Sequence, residues 1–244
     1  MKKIGTVFLA VLLLAAVGCE STPKTEEQAE NAVWTAPATE KILQEEEVPA
    51  AERGSSLQIY AAKGEYESGQ IIVSAGGDIG EYSAAAGDLS AQGGALFKAE
   101  NIALYHEKYI EVARNYEGNG APAGMYPDAL LPMQTAAEYG ENRVEAGKNQ
   151  GIYVTFHIPK DQAAGVYRGS VAVTLDGETH TVPVELDVYD FSVSEEVHSK
   201  SIFLTQWHYQ SGELNSTQEM FDAYTEKLIE YRLAPQYVMT DTAH

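Results

Sequence analysis

The chain is poorest in cysteine, in paired histidines and in cations, and each shortage removes a class of function. Its one thiol, Cys19, can form no internal disulfide and no thiolate cage for a metal. His106, His157, His180 and His198 are dispersed along the chain with no His-x-x-x-His pairing, so they give no metal site. No Gly-x-Ser-x-Gly pattern is present, which removes the nucleophile elbow of serine hydrolases. Gly76-Gly77 and Gly93-Gly94 are followed by no helical pattern and read as turns, not phosphate loops. No cofactor is implied. Lys and Arg number 16 against 36 Asp and Glu, a formal charge of −20. Such a field repels phosphate backbones and excludes nucleic acid as a partner. It also excludes attachment to an anionic membrane through protein charge, and reads as a device for solubility. What remains must be stabilised by an apolar core alone. At 44% hydrophobic residues over 244 positions there is enough for one large domain or two small ones.

Cys19 itself follows Lys2 and Lys3, an apolar run over residues 8–17, and the small pair Val17-Gly18. That order reads as a bacterial secretory signal ending in a lipid-attachment site. The run is too short to span a bilayer, which takes about 20 apolar residues. It looks like a lipobox, although Ala16 stands where Leu is usual. Cys19 is then acylated and becomes the mature N-terminus, and loss of Lys2 and Lys3 takes the charge from −20 to −22. The alternative is an ordinary leader cut nearby, leaving a free thiol. Residues 1–18 are accordingly assigned as the signal and residues 19–32, acidic and without aromatics, as a tether. The protein is expected to be exported and held on a membrane, facing the periplasm or the exterior.

Order is expected from Val33-Trp34 onward. Residues 56–61 alternate with period two, as a half-buried strand does, and residues 70–75 form a β-branched run closed by glycines. Residues 102–105 and 109–112 are two further strand candidates. Residues 115–147, rich in Gly, Pro, Asn and Ala, read as one long loop. Residues 150–158 and 166–175 alternate again. Asp176-Gly177 is a tight hairpin signal, with Val182, Val184, Leu186 and Val188 on one face of the returning strand. The expectation over residues 33–198 is a mainly β fold, an antiparallel β-sandwich of immunoglobulin-like or jelly-roll-like form.

The pattern changes after Phe191. Residues 201–206 read as an apolar strand, and Ser216 or Thr217 can cap a helix from about Gln218. Met220, Tyr224, Leu228 and Tyr231 recur along it, Arg232-Leu233-Ala234-Pro235 stops it, and residues 236–240 read as a second strand. Strand, helix, strand opens a parallel α/β domain, assigned to residues 199–244. A unit this short cannot bury both faces of its strands, so the sequence is expected to be a piece of a longer protein.

Four stretches, in order, carry a resemblance: Lys63-Gly64-Glu65-Tyr66-Glu67-Ser68-Gly69-Gln70, Tyr126-Pro127-Asp128-Ala129-Leu130-Leu131-Pro132, Ile158-Pro159 through Gly165-Val166-Tyr167, and Tyr189-Asp190-Phe191. Their order resembles the N-terminal region of glycoside hydrolase family 123-like proteins, in which a β-sandwich precedes a (β/α)8 TIM-barrel catalytic domain. The resemblance implies the noncatalytic part of an exported β-N-acetylgalactosaminidase-like enzyme of the substrate-assisted retaining kind. It implies a glycan partner containing N-acetylhexosamine. The family's Asp-Glu pair lies on later barrel strands, so no catalytic residue is assigned and this stretch alone is expected to be inactive.

Because TIM barrels place their sites at the C-terminal ends of strands, Trp207, His208 and Tyr209 after the first α/β strand are candidate sugar contacts, as are Asp241 and His244 after the second. Packing against the neighbouring sandwich is the competing role for Trp207 and Tyr209, and Asp241 and His244 fit better as loop polars than as ligands. Glu65, Glu67 and Gln70 form a conceivable carboxylate site but fit better as turn and strand residues. A rival reading is a cell-surface carbohydrate-binding or adhesive module, with its site in the loop between Tyr116 and Tyr126.

Overall fold

Alternating apolar residues dictate strands whose odd and even positions face opposite ways, and two such sheets can bury one face each against the other. The computed structural model describes residues 30–113, 122–194, 196–198, 201–205 and 217–237. Its first nine strands are β1 (Ala32–Pro37), β2 (Leu57–Lys63), β3 (Tyr66–Ser74), β4 (Tyr82–Ala86), β5 (Leu89–Ala91), β6 (Leu96–Phe97), β7 (Ile102–Val112), β8 (Gly124–Pro132) and β9 (Asn149–His157). They are followed by β10 (Gly165–Leu175), β11 (Glu178–Ser192), β12 (Phe203–Thr205) and β13 (Pro235–Tyr237). Two α-helices are described, α1 (Met133–Glu138) and α2 (Gln218–Glu230).

One sheet has the order β1-β3-β9-β7-β8, and the other β2-β11-β10-β5-β6 with β4 also on β10. The fold is a mainly β sandwich. Its core is the inner faces: Ile71, Val73, Ile152, Val154 and Phe156 from the first sheet meet Leu57, Val171, Val173, Val184 and Leu186 from the second. Full burial of each such side chain contributes about 1.5–3 kcal/mol. Gly69 and Gly169 have no Cβ because Leu57 and Leu89, respectively, occupy that space.

The hairpin at Asp176-Gly177 forms as its residues demand, with φ of 46° and 92° at the two turn positions. Val182, Val184, Leu186 and Val188 are all buried on one face. Elsewhere the structure departs from the expectation. Residues 102–105 and 109–112 belong to one strand, β7, whose register against β8 shifts between Lys108 and Tyr109. Residues 115–147 are not a single loop, since β8 and α1 lie within them. Pro127 and Pro132 misled that reading. They are tolerated because β8 is the outermost strand of its sheet, where a missing N–H breaks no second ladder. The second sheet is not wholly antiparallel, because β2 runs parallel to β11. The short strands β4, β5 and β6 had no alternating signal in their Ala- and Gly-rich sequence.

Residues 38–48 contribute no strand but cross the outer face of the first sheet, where side-chain amides hold them. Gln70 Nε2 donates to the Pro37 and Glu40 carbonyls at 2.6 and 2.9 Å. Asn149 Nδ2 donates to those of Leu43 and Glu46 at 3.1 and 2.7 Å. Asn149 Oδ1 accepts from the Ser74 hydroxyl, which in turn accepts from the Trp34 indole N–H. Beneath this strap Trp34, Ala36, Ile42, Val48 and Ile72 form a second apolar cluster.

After the sandwich, β12 pairs with β13 in parallel, joined through α2. Of the two capping candidates Thr217 is the cap, its hydroxyl accepting from the Met220 N–H. Arg232 at φ 60° turns the chain out of the helix, and the Leu233 N–H closes onto the Leu228 carbonyl. The expected apolar stripe is largely exposed: Met220, Tyr224 and Tyr231 are open to solvent, and Phe221 is the residue of α2 that is buried.

Candidate functional site

On the first sheet the strand register places one outward row after another. Tyr66 of β3 faces His157 of β9, with rings stacked 4.4 Å apart at 13°. Ser68 faces Thr155, their hydroxyls 3.0 Å apart. Gln70 faces Tyr153, which faces Tyr105 of β7. This face therefore runs from an aromatic pair, through hydroxyls and an amide, toward Glu107, two positions beyond Tyr105 in β7.

The aromatic end is also where the sandwich meets the α/β unit. Tyr231, at the end of α2, lies 6.5 Å from Tyr66 at 25°. An opening of about 350 Å³ beside this pair is lined by Glu65, Tyr66 and Glu67 together with Val193, Glu230, Tyr231 and Arg232. Burial, and then the Glu230 charge, push the Tyr66 phenol above its ordinary range. Glu65 is a turn residue: its carboxylate accepts from the Ala62 N–H at 2.7 Å. Burial, with Glu65 beside it, raises Glu67. Gln70 is buried and ties down the strap. These three residues thus form no shared carboxylate site.

The strap creates the other feature. A groove of about 710 Å³ between β1, β2 and β3 and a slot of about 220 Å³ beneath the strap both include Ala38, Glu40 and Tyr153 in their walls. Glu107, only 3% exposed, lies in the slot, where burial holds its carboxyl up at about 7 and Lys41 pulls weakly the other way. On the opposite face of β7, His106 Nδ1 is 2.5 Å from the Tyr82 hydroxyl, and burial lowers its basicity.

The four histidines read from the sequence sit apart. His106 meets Tyr82, His157 stacks on Tyr66, His180 is 3.9 Å from Glu178 and His198 is 3.6 Å from Glu196. No group of three metal-binding side chains occurs among the described residues. Cys19, Trp207, His208, Tyr209, Asp241 and His244 lie outside the described residues, as do Tyr116 and most of its loop. Glu107, Lys41 and Tyr153 were not singled out in the sequence. Glu107 sits on the face of β7 that alternation alone assigns to solvent, and the strap, with Gln70, Tyr153 and β8, encloses it.

Residues 38–175 match the family described as Glycoside hydrolase 123 N-terminal domain. Among solved structures, a family 123 glycoside hydrolase from Clostridium perfringens, described as acting on glycolipid glycans, superposes with a TM-score of 0.65 at 17% identity. The match covers 83% of this chain and 35% of that one, so this chain spans about a third of that hydrolase's length. The Salmonella SafD adhesin gives a TM-score of 0.31 at 11% identity, over 67% of this chain and 98% of its own. The CooA pilin subunit of enterotoxigenic Escherichia coli gives 0.30 at 9%, over 58% and 94%. Neither of these two bears on the fold. No curated protein matches the chain.

Proposed function

Because the chain belongs to the glycoside hydrolase 123 N-terminal domain family, we propose that it is the noncatalytic N-terminal portion of an exported, lipid-anchored glycoside hydrolase. The enzyme acts on a glycan containing β-linked N-acetylhexosamine, with the sugar's own acetamido group as nucleophile. Cys19 carries the lipid. Trp207, His208, Tyr209 and Asp241 contribute to the sugar site from the ends of the α/β strands.

One observation carries this reading. After a sandwich of this family comes a parallel β12–α2–β13 unit, the repeating element of an α/β barrel. Ile202, Phe203, Tyr224 and Ile229 of that unit are exposed, and further strand–helix units would cover them. The sandwich then serves as a rigid base, with Tyr66 and His157 seating the end of α2 through Tyr231.

The test is hydrolysis of a chromogenic β-N-acetylgalactosaminide. The purified chain should give no turnover, and a polypeptide extended by the remaining barrel units should give it. Turnover by the chain alone would overturn the noncatalytic assignment. For the anchor, radiolabelled palmitate should enter the wild-type protein in a bacterial host and not Cys19→Ser.

A further inference from the structure

The first sheet is unfinished at its β1 edge. β1 pairs with β3 from Ala32 opposite Ser74 only as far as Pro37 opposite Gly69. There the Glu40 N–H closes onto the Pro37 carbonyl and the chain leaves for the strap. Tyr66, Glu67 and Ser68 of β3 are left with β9 on one side and no strand on the other. Successive residues of an antiparallel strand turn their backbone groups to opposite sides. Two observations fix which of them face the gap. The Ile158 N–H donates to the Glu65 carbonyl at 2.9 Å, so Glu67 and Gly69, in phase with Glu65, also turn toward β9. Thr35 exchanges both of its backbone bonds with Gly54, so Trp34 and Ala36 turn toward Ile72 and Gln70. Ser68 and Tyr66 therefore present N–H and C=O to the gap, at the spacing of a missing strand. Among the described residues no backbone bond reaches them from that side.

The groove of about 710 Å³ occupies this place, and its other wall is β2, which is also outermost in its sheet. The Ala62 N–H goes to the Glu65 carboxylate and not to β11, so Gln58, in phase with it, turns its backbone groups outward as well. Two free backbone edges flanking one groove fit an extended polypeptide, whose alternating donors and acceptors match theirs. At about 3.3 Å per extended residue, the open stretch of β3 takes a short segment.

Charge defines the partner further. Glu40, Glu52 and Glu67 line the groove, and none of its lining residues is Lys or Arg. Burial, and then the neighbouring Glu65, already raise the Glu67 carboxyl, so a cation placed there offsets an existing repulsion. A second copy of this chain, at −20, is repelled and has few cations to offer. We propose that the groove takes an extended, Lys- or Arg-bearing segment of another protein, which adds to β3 beyond Pro37 as a short strand.

The test is titration of the full chain with a blocked heptapeptide of alternating Lys and Val, followed by NMR at the Ser68 and Tyr66 amides. Comparison ligands are the same peptide N-methylated at every residue, its counterpart of alternating Glu and Val, and the sugars maltotriose and triacetylchitotriose. The Lys–Val peptide should saturate a single site with shifts at both amides. The methylated and acidic peptides should bind about tenfold more weakly or worse, as loss of hydrogen bonds and of charge pairing predicts. Affinity should also fall about tenfold in Ser68→Pro, which removes an N–H that bonds no strand, and in Glu67→Lys, which reverses the charge. Absence of saturation by the Lys–Val peptide would overturn the proposal. So would equal binding of the methylated peptide, a trisaccharide shifting these amides in its place, or affinity retained in either variant. Should Ser68→Pro fail to fold by circular dichroism, Glu67→Lys decides alone.

Discussion

Gly151 of β9 lies directly beneath Glu107 of β7, so that a Cβ on Gly151 would fall within the space of the Glu107 carboxylate. The absence of a side chain on one strand thus makes room for a buried acid on its neighbour. Gly151→Ala should force Glu107 aside or part the two strands, at a cost of about 1–3 kcal/mol in urea unfolding. In a Glu107→Ala background the same substitution should cost much less, because the two changes share one space.

The buried acid also sets a pH dependence. Glu107 holds its proton up to about pH 7, whereas in the unfolded chain it ionises near its ordinary 4.5. Between those values the folded state binds the extra proton, so stability falls as pH rises and the loss is complete above about 7. The gap corresponds to about 3 kcal/mol. Glu107→Gln mimics the protonated acid, and its stability relative to wild type should rise by up to that amount between pH 4 and 8 in denaturant titrations. His106, whose basicity burial lowers, acts in the opposite sense, favouring the fold as pH rises. It is present in both proteins, so their difference isolates Glu107.

Tyr82 is fully buried, and desolvation pushes its phenol far above the ordinary range, so it keeps its proton; with that proton we assign the phenol as donor to His106 Nδ1. Tyr82→Phe should leave that nitrogen unpaired at a cost of about 1–3 kcal/mol. In wild type, nitrogen NMR of His106 should report Nδ1 unprotonated and Nε2 protonated. A reversed tautomer would contradict the assignment.

The seam at Tyr66 should be separable from the sandwich core. Tyr66→Ala removes its stacking with His157 and Tyr231, contacts of about 0.5–1.5 kcal/mol each. Amide exchange in α2 should accelerate about three- to tenfold, while β10 and β11 keep their protection. Equal acceleration in both places would mean that Tyr66 supports the whole fold.

Much of the sandwich was legible because its signals are local. Asp176-Gly177 between two alternating runs specifies a hairpin wherever it occurs, and Thr217 ahead of Gln218-Glu219 specifies a helix start. Pro127 and Pro132 were read as loop residues because a proline's tolerance depends on whether its strand is an edge, and sheet order is not written locally. The slot was illegible for a related reason. Glu107, Gln70 and Lys41 lie far apart in sequence, and no short motif joins them.

The sequence by itself determined which residues alternate, where the chain turns, and that a parallel strand–helix–strand follows the β region, since these depend on neighbours within one turn or one strand. Only the tertiary structure decided which outward face became an inside. A polar strap laid across the first sheet helped remove Glu107 from water and, with Gln70, left two buried side-chain oxygens without a hydrogen-bond partner. Burial is a property of what lies on top of a residue, and here that cover comes from some sixty residues earlier in the chain.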